Sequence, residues 1–382
     1  MPGWVRLLVL GRFINAAGAL AWLYLTVYLV QERGLEPGLA GIIVGGNGIG
    51  VITGNLLGGW FGDRLGNKPT LLAGYLGWAA LCLAFPLAGI QYLLPVSIAS
   101  GFAAGSSQPV AAALVTAAVP PEQRRVGIAI TRAAFNAGIV IGPPLGALAA
   151  AYDFSLVFII DALTSLVLAA IVWRWVPSTP APSKADYQRG FLTAVLRDRK
   201  VMMLVAGVVV LDTAYRQIFT GLPLTLQDNL LAYGALIAGS SLLIVLAETP
   251  LAVAFTNRPA LHVITSGWIL VGLGFAALSV WPALGGAVIA IALITFGEML
   301  YKPTSPAFAA ERAPHGMEGR FQSLYSGASI SGMVLSPPIG GFVYQYAPDL
   351  LWPLCCAMAL AAAAALALTA RSASGVVTPE PG

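Results

Sequence analysis

Gly58-Gly59-Trp60-Phe61-Gly62-Asp63-Arg64-Leu65-Gly66-Asn67-Lys68-Pro69 is a charged, glycine-rich turn between two apolar runs, each long enough to cross a bilayer. A connection this short forces the two flanking helices to run antiparallel and side by side. Asp63, Arg64 and Lys68 mark where the chain meets water, and Pro69 suits the first turn of the helix that follows. Gly59 and Gly62 are expected to let backbones approach closely, as small residues do where helices meet in lipid.

Composition says what surrounds this turn. Of 382 residues, 58% are apolar and only 9% charged, and the mean hydropathy is +0.82. Soluble chains carry about 25% charged residues, so this is an integral membrane protein. The apolar runs are continuous and do not alternate, which predicts helices and excludes a barrel. At about 20 residues per crossing, the length allows roughly a dozen spans. The net charge of +4 is no argument for nucleic acid, because in a membrane chain the placement of basic residues matters more than their sum. Cys82, Cys355 and Cys356 lie in apolar runs with no disulfide framework or metal spacing. No cofactor motif appears; a proton gradient is the expected energy source.

Reading outward from the turn, spans are predicted at roughly 5–30, 39–62, 69–89, 92–118, 127–152, 154–176, 201–224, 232–256, 260–282, 284–310, 321–346 and 350–371. Composition changes once, from Pro177 to Lys200, where prolines are followed by Lys184, Arg189, Arg197, Arg199 and Lys200. Within it, Gly190 to Asp198 has the pattern of a short amphipathic surface helix. This divides the chain into a bundle of residues 1–176, a linker of residues 177–200 and a bundle of residues 201–382. With the N-terminus inside, the cytoplasmic side collects nearly all of the Lys and Arg outside the spans, leaving Arg33 alone on the other face. Both termini are therefore expected in the cytoplasm, with the chain multi-pass in the cell (inner) membrane.

The two halves repeat. Gly138-x-x-x-Gly142-Pro143-Pro144-x-Gly146 returns as Gly332-x-x-x-Ser336-Pro337-Pro338-x-Gly340, and the same shift carries Pro109 onto Pro303 and Arg64 onto Arg258. The second copy has lost the acid, since Asp63 falls on Asn257.

The pattern Gly59-x-x-x-Asp63-Arg64-x-Gly66-x-Lys68 resembles the signature loop between helices 2 and 3 of the major facilitator superfamily of transporters. The span count and the repeat agree with it. The resemblance implies an all-α polytopic membrane protein with twelve transmembrane helices in two pseudo-symmetric six-helix bundles, working by alternating access. It also implies that Asp63, Arg64 and Lys68 latch helix 2 against helix 11; the alternative is a solvated loop. Arg132, Asn136, Gly138, Gly142, Pro143 and Gly146 look like the antiporter motif on helix 5 of the family's proton-coupled drug exporters. Ala147 stands where that motif usually has a second glycine. The arginine those exporters often carry in helix 4 is absent, with Ser97 near its place, so Arg132 is a candidate substitute.

Charges inside spans cost a few kcal/mol each and are functional candidates by default. Here they are Arg12, Arg132, Asp161, Asp212, Arg216, Glu248, Glu298 and Lys302. Arg12 and Arg132 lie within snorkelling reach of the cytoplasm and either line the cavity or anchor the helix. Asp212 and Glu298 fall near the midpoints of spans 7 and 10, each with a cation four positions on, Arg216 and Lys302. That spacing gives either a self-neutralised pair or a carboxylate whose proton affinity changes as the cavity opens. Tyr215 and Tyr301, beside those pairs, are expected to line a cavity.

These residues point to a monomeric secondary transporter in the lipid bilayer. The expected activity is proton-coupled efflux of hydrophobic or amphipathic small molecules, with Asp212 or Glu298 exchanging a proton for substrate. The alternatives are an importer or uniporter of a small metabolite and, from another class, a non-transporting receptor or scaffold. No nucleophilic triad or midplane histidine supports an enzyme.

Overall fold

A computed structural model describes residues 3–118, 124–178, 195–255, 257–314 and 317–371, and these are helical with no strand among them. The twelve predicted spans are present. The first comprises Gly3–Gly18 and Ala21–Gln31, the second Pro37–Leu65, the third Asn67–Ala84 and the fourth Ile90–Ala118. The fifth is Arg124–Tyr152, the sixth Ser155–Trp175, and the seventh begins as Arg199–Tyr215 and continues as Gln217–Thr220 and Leu222–Thr225. Leu230–Phe255, Ala260–Val280 and Leu284–Glu311 are the eighth to tenth. The eleventh is Glu318–Ala328 with Gly332–Tyr346, and the twelfth Leu351–Arg371.

Among the described residues, nine of these stretches are by themselves long and apolar enough to cross a membrane. The other three fall short for visible reasons. The third opens on Asn67-Lys68-Pro69, the fourth carries Gln91, Ser97, Ser100, Ser106, Ser107 and Gln108, and the eleventh is split into two short helices. The third span also stops at Ala84, short of the expected 89, just ahead of Pro86. The turn between the second and third spans is a single residue, Gly66, at φ +94°, a conformation that L side chains rarely adopt. Of the linker, residues 179–194 lie outside the described residues, so the expected surface helix is seen only at 195–197.

The chain forms two compact units. One contains residues 1–184, 218–245 and 333–347; the other contains residues 185–217, 246–332 and 348–382. Their internal packing repeats. In the first, span 3 packs on spans 4 and 6, and span 1 on spans 5 and 6. In the second, span 9 packs on spans 10 and 12, and span 7 on span 12 and the first part of span 11. For these pairs, adding six to each number in the first set gives the second, whereas the close packing of span 2 on span 4 is not matched by comparable packing of span 8 on span 10 among the described residues.

Glycine decides how closely helices pack in the first unit. A Cβ at Gly46, Gly50, Gly54 or Gly58 would run into the fourth span, at Leu94, Ile98, Phe102 and Ser106 in turn. Gly38, Gly41, Gly45 and Gly48, on another face of the second span, meet the segment from Met333 to Gln345 in the same way. With lipid as apolar as the helices, backbone proximity of this kind supplies the van der Waals contact that holds spans together. Gly62 lies against Val110 and Asn67, whereas a Cβ at Gly59 would meet open space. The expected close approach at Gly59 is therefore corrected: that position faces away from its neighbours.

Candidate functional site

Spans 1 and 11 are each broken into two helices, and at each of these breaks an aspartate accepts a backbone N–H. A broken helix leaves N–H groups without intrahelical acceptors, which is costly where no water can replace them. In the first unit, the backbone N–H of Ala21, which opens the second half of span 1, donates to Asp161 Oδ2 at 2.9 Å. Trp78 Nε1–H of the third span donates to Asp161 Oδ1 at 2.7 Å. Asp161 is fully buried. A narrow cavity touching its two donor residues, Ala21 and Trp78, together with Trp22, Asn47 and Cys82, has room for about one water molecule.

In the second unit, Gly332 N–H, which opens the second half of span 11, donates to Asp212 Oδ2 at 3.0 Å. Arg216 Nε bonds the same oxygen at 2.8 Å, and Arg216 Nη2 reaches Ser329 O, across the break, at 3.3 Å. The expected i, i+4 pair therefore exists, and it also bridges two helix ends that belong to a different span. The companion pair is present too: Lys302 Nζ lies 2.6 Å from Glu298 Oε1. Tyr215 Oη–H donates to Glu298 Oε2 at 2.7 Å, and the Lys302 ammonium sits 4.4 Å from the centre of the Tyr215 ring. The Lys302 side chain is 42% exposed and that of Glu298 13%. Tyr215 and Tyr301, expected to line a cavity, are both buried, and the Tyr215 hydroxyl holds the Glu298 carboxylate.

The span 5 motif packs on the first span. A Cβ at Gly138 would strike Ala16 and the Phe13 carbonyl, one at Gly142 the Ala17 carbonyl and one at Gly146 the Tyr24 ring. Tyr24 Oη–H donates to the Pro143 carbonyl at 2.5 Å. Gly234 of the eighth span lies against that same carbonyl. The span 11 copy repeats the arrangement, since the Pro337 carbonyl lies against Gly41 of the second span. Asn136 is half-buried, and the Arg132 side chain lies outside the described residues.

Asp63 and Arg64 are exposed, with the Arg64 guanidinium 4.4 Å from the centre of the Trp60 ring, and Lys68 is half-buried. The second span meets the eleventh at Gly38–Gly48, the end far from this loop. Arg12 and Glu248 are half-buried. Ser97 is a packing hydroxyl that donates to Ile43 O at 2.7 Å. Sequence reasoning missed both helix breaks and the capping role of Asp161. The glycine face Gly46-Gly50-Gly54-Gly58 was legible as a four-residue repeat and went unread.

Comparison with known proteins gives these features a context. A transporter described as uncharacterized MFS-type transporter YttB, from Bacillus subtilis (strain 168), is 28% identical over 364 residues, covering 91% of this chain and 89% of that one. A Na(+), Li(+), K(+)/H(+) antiporter of Planococcus maritimus is 24% identical, with 85% of each chain covered. Multidrug resistance protein MdtH of Escherichia coli (strain K12 / DH10B) is 25% identical, covering 91% and 87%. A crystal structure of a POT family transporter in complex with 5-aminolevulinic acid superposes with a TM-score of 0.82 over 97% of both chains, at 12% identity, a likeness of fold alone. The Major Facilitator Superfamily model matches residues 8–337, and the chain belongs to that superfamily of membrane transporters.

Proposed function

We propose that this transporter is a proton-coupled exporter of hydrophobic or amphipathic small molecules, cationic ones foremost. It acts as a monomer in the inner membrane, with both termini in the cytoplasm. The halves 1–176 and 201–382, joined by the linker 177–200, rock about a central site, and the Asp63–Lys68 loop latches one of the two end states.

The observation that carries this reading is the Glu298–Lys302–Tyr215 cluster. A carboxylate, an aromatic face and a partly exposed ammonium sit together in largely apolar spans. A cationic amphiphile can take the place of the Lys302 ammonium at both the carboxylate and the ring, because each attracts any soft cation of similar reach. The similarity to a multidrug resistance protein and to a cation/H(+) antiporter supports export driven by protons.

The test is ethidium uptake into inverted membrane vesicles, which corresponds to export in the cell. Accumulation that follows an imposed pH gradient, acid inside, and collapses with an uncoupler is expected. Uptake that instead requires the reverse gradient identifies an importer, and no uptake of any dye or metabolite in reconstituted vesicles identifies a non-transporting protein.

A further inference from the structure

Of the three carboxylates Asp161, Asp212 and Glu298, two have a cation in ion-pair contact, and Asp161 has none among the described residues. The difference decides what a proton can do at each. Protonating Asp212 would take from the Arg216 guanidinium the carboxylate it bonds at 2.8 Å, and protonating Glu298 would take from Lys302 the one it meets at 2.6 Å, so each proton would break an ion pair. Protonating Asp161 removes a charge and strands nothing. In the acid form the carbonyl oxygen still accepts in full, while the hydroxyl oxygen accepts more weakly and gains a proton to donate, so Ala21 N–H and Trp78 Nε1–H each keep a partner in either state.

The surroundings supply the remaining requirements. The cavity touches both donor residues, though not Asp161 itself, and holds about one water, so a proton taken from it reaches the sealed carboxylate past Ala21 or Trp78. Its walls include Trp22 and Asn47, so how wet it becomes depends on how the first and second spans stand, and proton occupancy follows that wetness. The ionisable groups on the packed elements are few. Cys82 lines the cavity on the third span, Tyr75 is buried one turn before Trp78, and Arg12 lies nine residues before Ala21, about 13 Å along the first span. The fourth span contributes Ser100 and the second Asn47, neither of them titratable. The carboxylate also terminates a break in the first span, so gain and loss of its charge act directly on the bond to the Ala21 N–H that holds the two half-helices in register.

We propose that Asp161 is the carboxyl that binds and releases the coupled proton, and that it passes the change to the first span through Ala21. The proposal rests on the proton-coupled reading above and names the residue that reading needs.

The experiment is infrared difference spectroscopy of the purified full chain across a pH titration, read at the C=O frequency of buried carboxyls, apart from that of the solvent-exposed acids, alongside ethidium transport in reconstituted vesicles. Wild type and Asp212→Asn should both show a titrating carboxyl. Asp161→Asn should lose it, and should lose gradient-driven accumulation while keeping dye counterflow exchange. Asp161→Glu should recover part of both. Trp78→Phe keeps the carboxyl and removes one charge-assisted N–H bond, so it should tighten proton binding by about ten-fold; that variant decides the matter if Asp161→Asn fails to fold. A band that persists unchanged in Asp161→Asn, a Trp78→Phe midpoint that does not move, or an Asp161→Asn protein that still concentrates dye against the gradient overturns the proposal. If wild-type vesicles show no gradient-driven transport, the failure belongs to the proton-coupled export reading, and the infrared band alone then decides whether Asp161 is the proton site.

Discussion

Replacing Asp212 with asparagine separates the charge at the eleventh-span break from its geometry. Asn Oδ1 can still accept the Gly332 N–H, whereas Arg216, whose side chain is only 18% exposed, loses its counter-charge at 2.8 Å. A lone arginine at membrane depth costs about 3 kcal/mol on insertion scales, and stranding one member of a buried pair costs about 3–5 kcal/mol. Stability should fall by about 3 kcal/mol, or roughly 10 °C in a detergent melt if about 2–4 °C corresponds to each kcal/mol. Asp212→Asn combined with Arg216→Gln removes both charges and should recover most of the loss, because no ion remains to be desolvated. The assay is tryptophan fluorescence melting of wild type, the two single variants and the double variant, read as a cycle. If the double variant melts no higher than Asp212→Asn, the two residues are not coupled and the bridge across the break is not what holds it. A single variant within about 2 °C of wild type would refute the magnitude.

Lys302→Gln should leave the melting temperature within about 3 °C, because a side chain 42% exposed contributes little through its ion pair, yet it should lower KM for ethidium several-fold by vacating Glu298 and the Tyr215 ring; a raised KM contradicts the exchange of cations proposed there. Gly41→Leu and Gly234→Leu each place a side chain against a proline carbonyl on the neighbouring span, and either should cut transport about ten-fold with normal membrane insertion, measured by uptake against expression level. If pairing is what separates Asp212 from Asp161, Arg216→Leu should add a second titrating carboxyl to the infrared difference spectrum. An unchanged spectrum would count against that division.

The fold was legible because it is written in composition and punctuation. Gly66 fixed the turn, Lys68 and Pro69 fixed where the third span begins, and the repeated Pro143-Pro144 and Pro337-Pro338 fixed the duplication. The pairs Asp212–Arg216 and Glu298–Lys302 were legible for the same reason, since a four-residue step on a helix is local. The breaks were not. Nothing in Gly18-Ala19-Leu20 announces an interruption: there is no proline, and no side chain caps the N-terminus of Ala21–Gln31 from within its own helix. The acceptor comes from Asp161, 140 positions away, just as the acceptor for Gly332 comes from Asp212, 120 positions away.

That shared geometry also explains why the two aspartates should differ in function. Each accepts the first free N–H beyond a break, so each is required to keep its span intact, and on that ground alone neither is the better proton site. What separates them is the third partner. Arg216 binds Asp212 and also reaches Ser329 O on the far side of the break, so charge at Asp212 holds two helix ends at once and its removal releases both. At Asp161 the third partner is the neutral indole of Trp78, which holds the carboxyl in place whether or not it carries charge. A site that must stay assembled while its charge changes needs neutral donors, and a site that must stay charged needs a cation. By that criterion the second unit holds the fixed point of the membrane-embedded charges and the first unit holds the variable one.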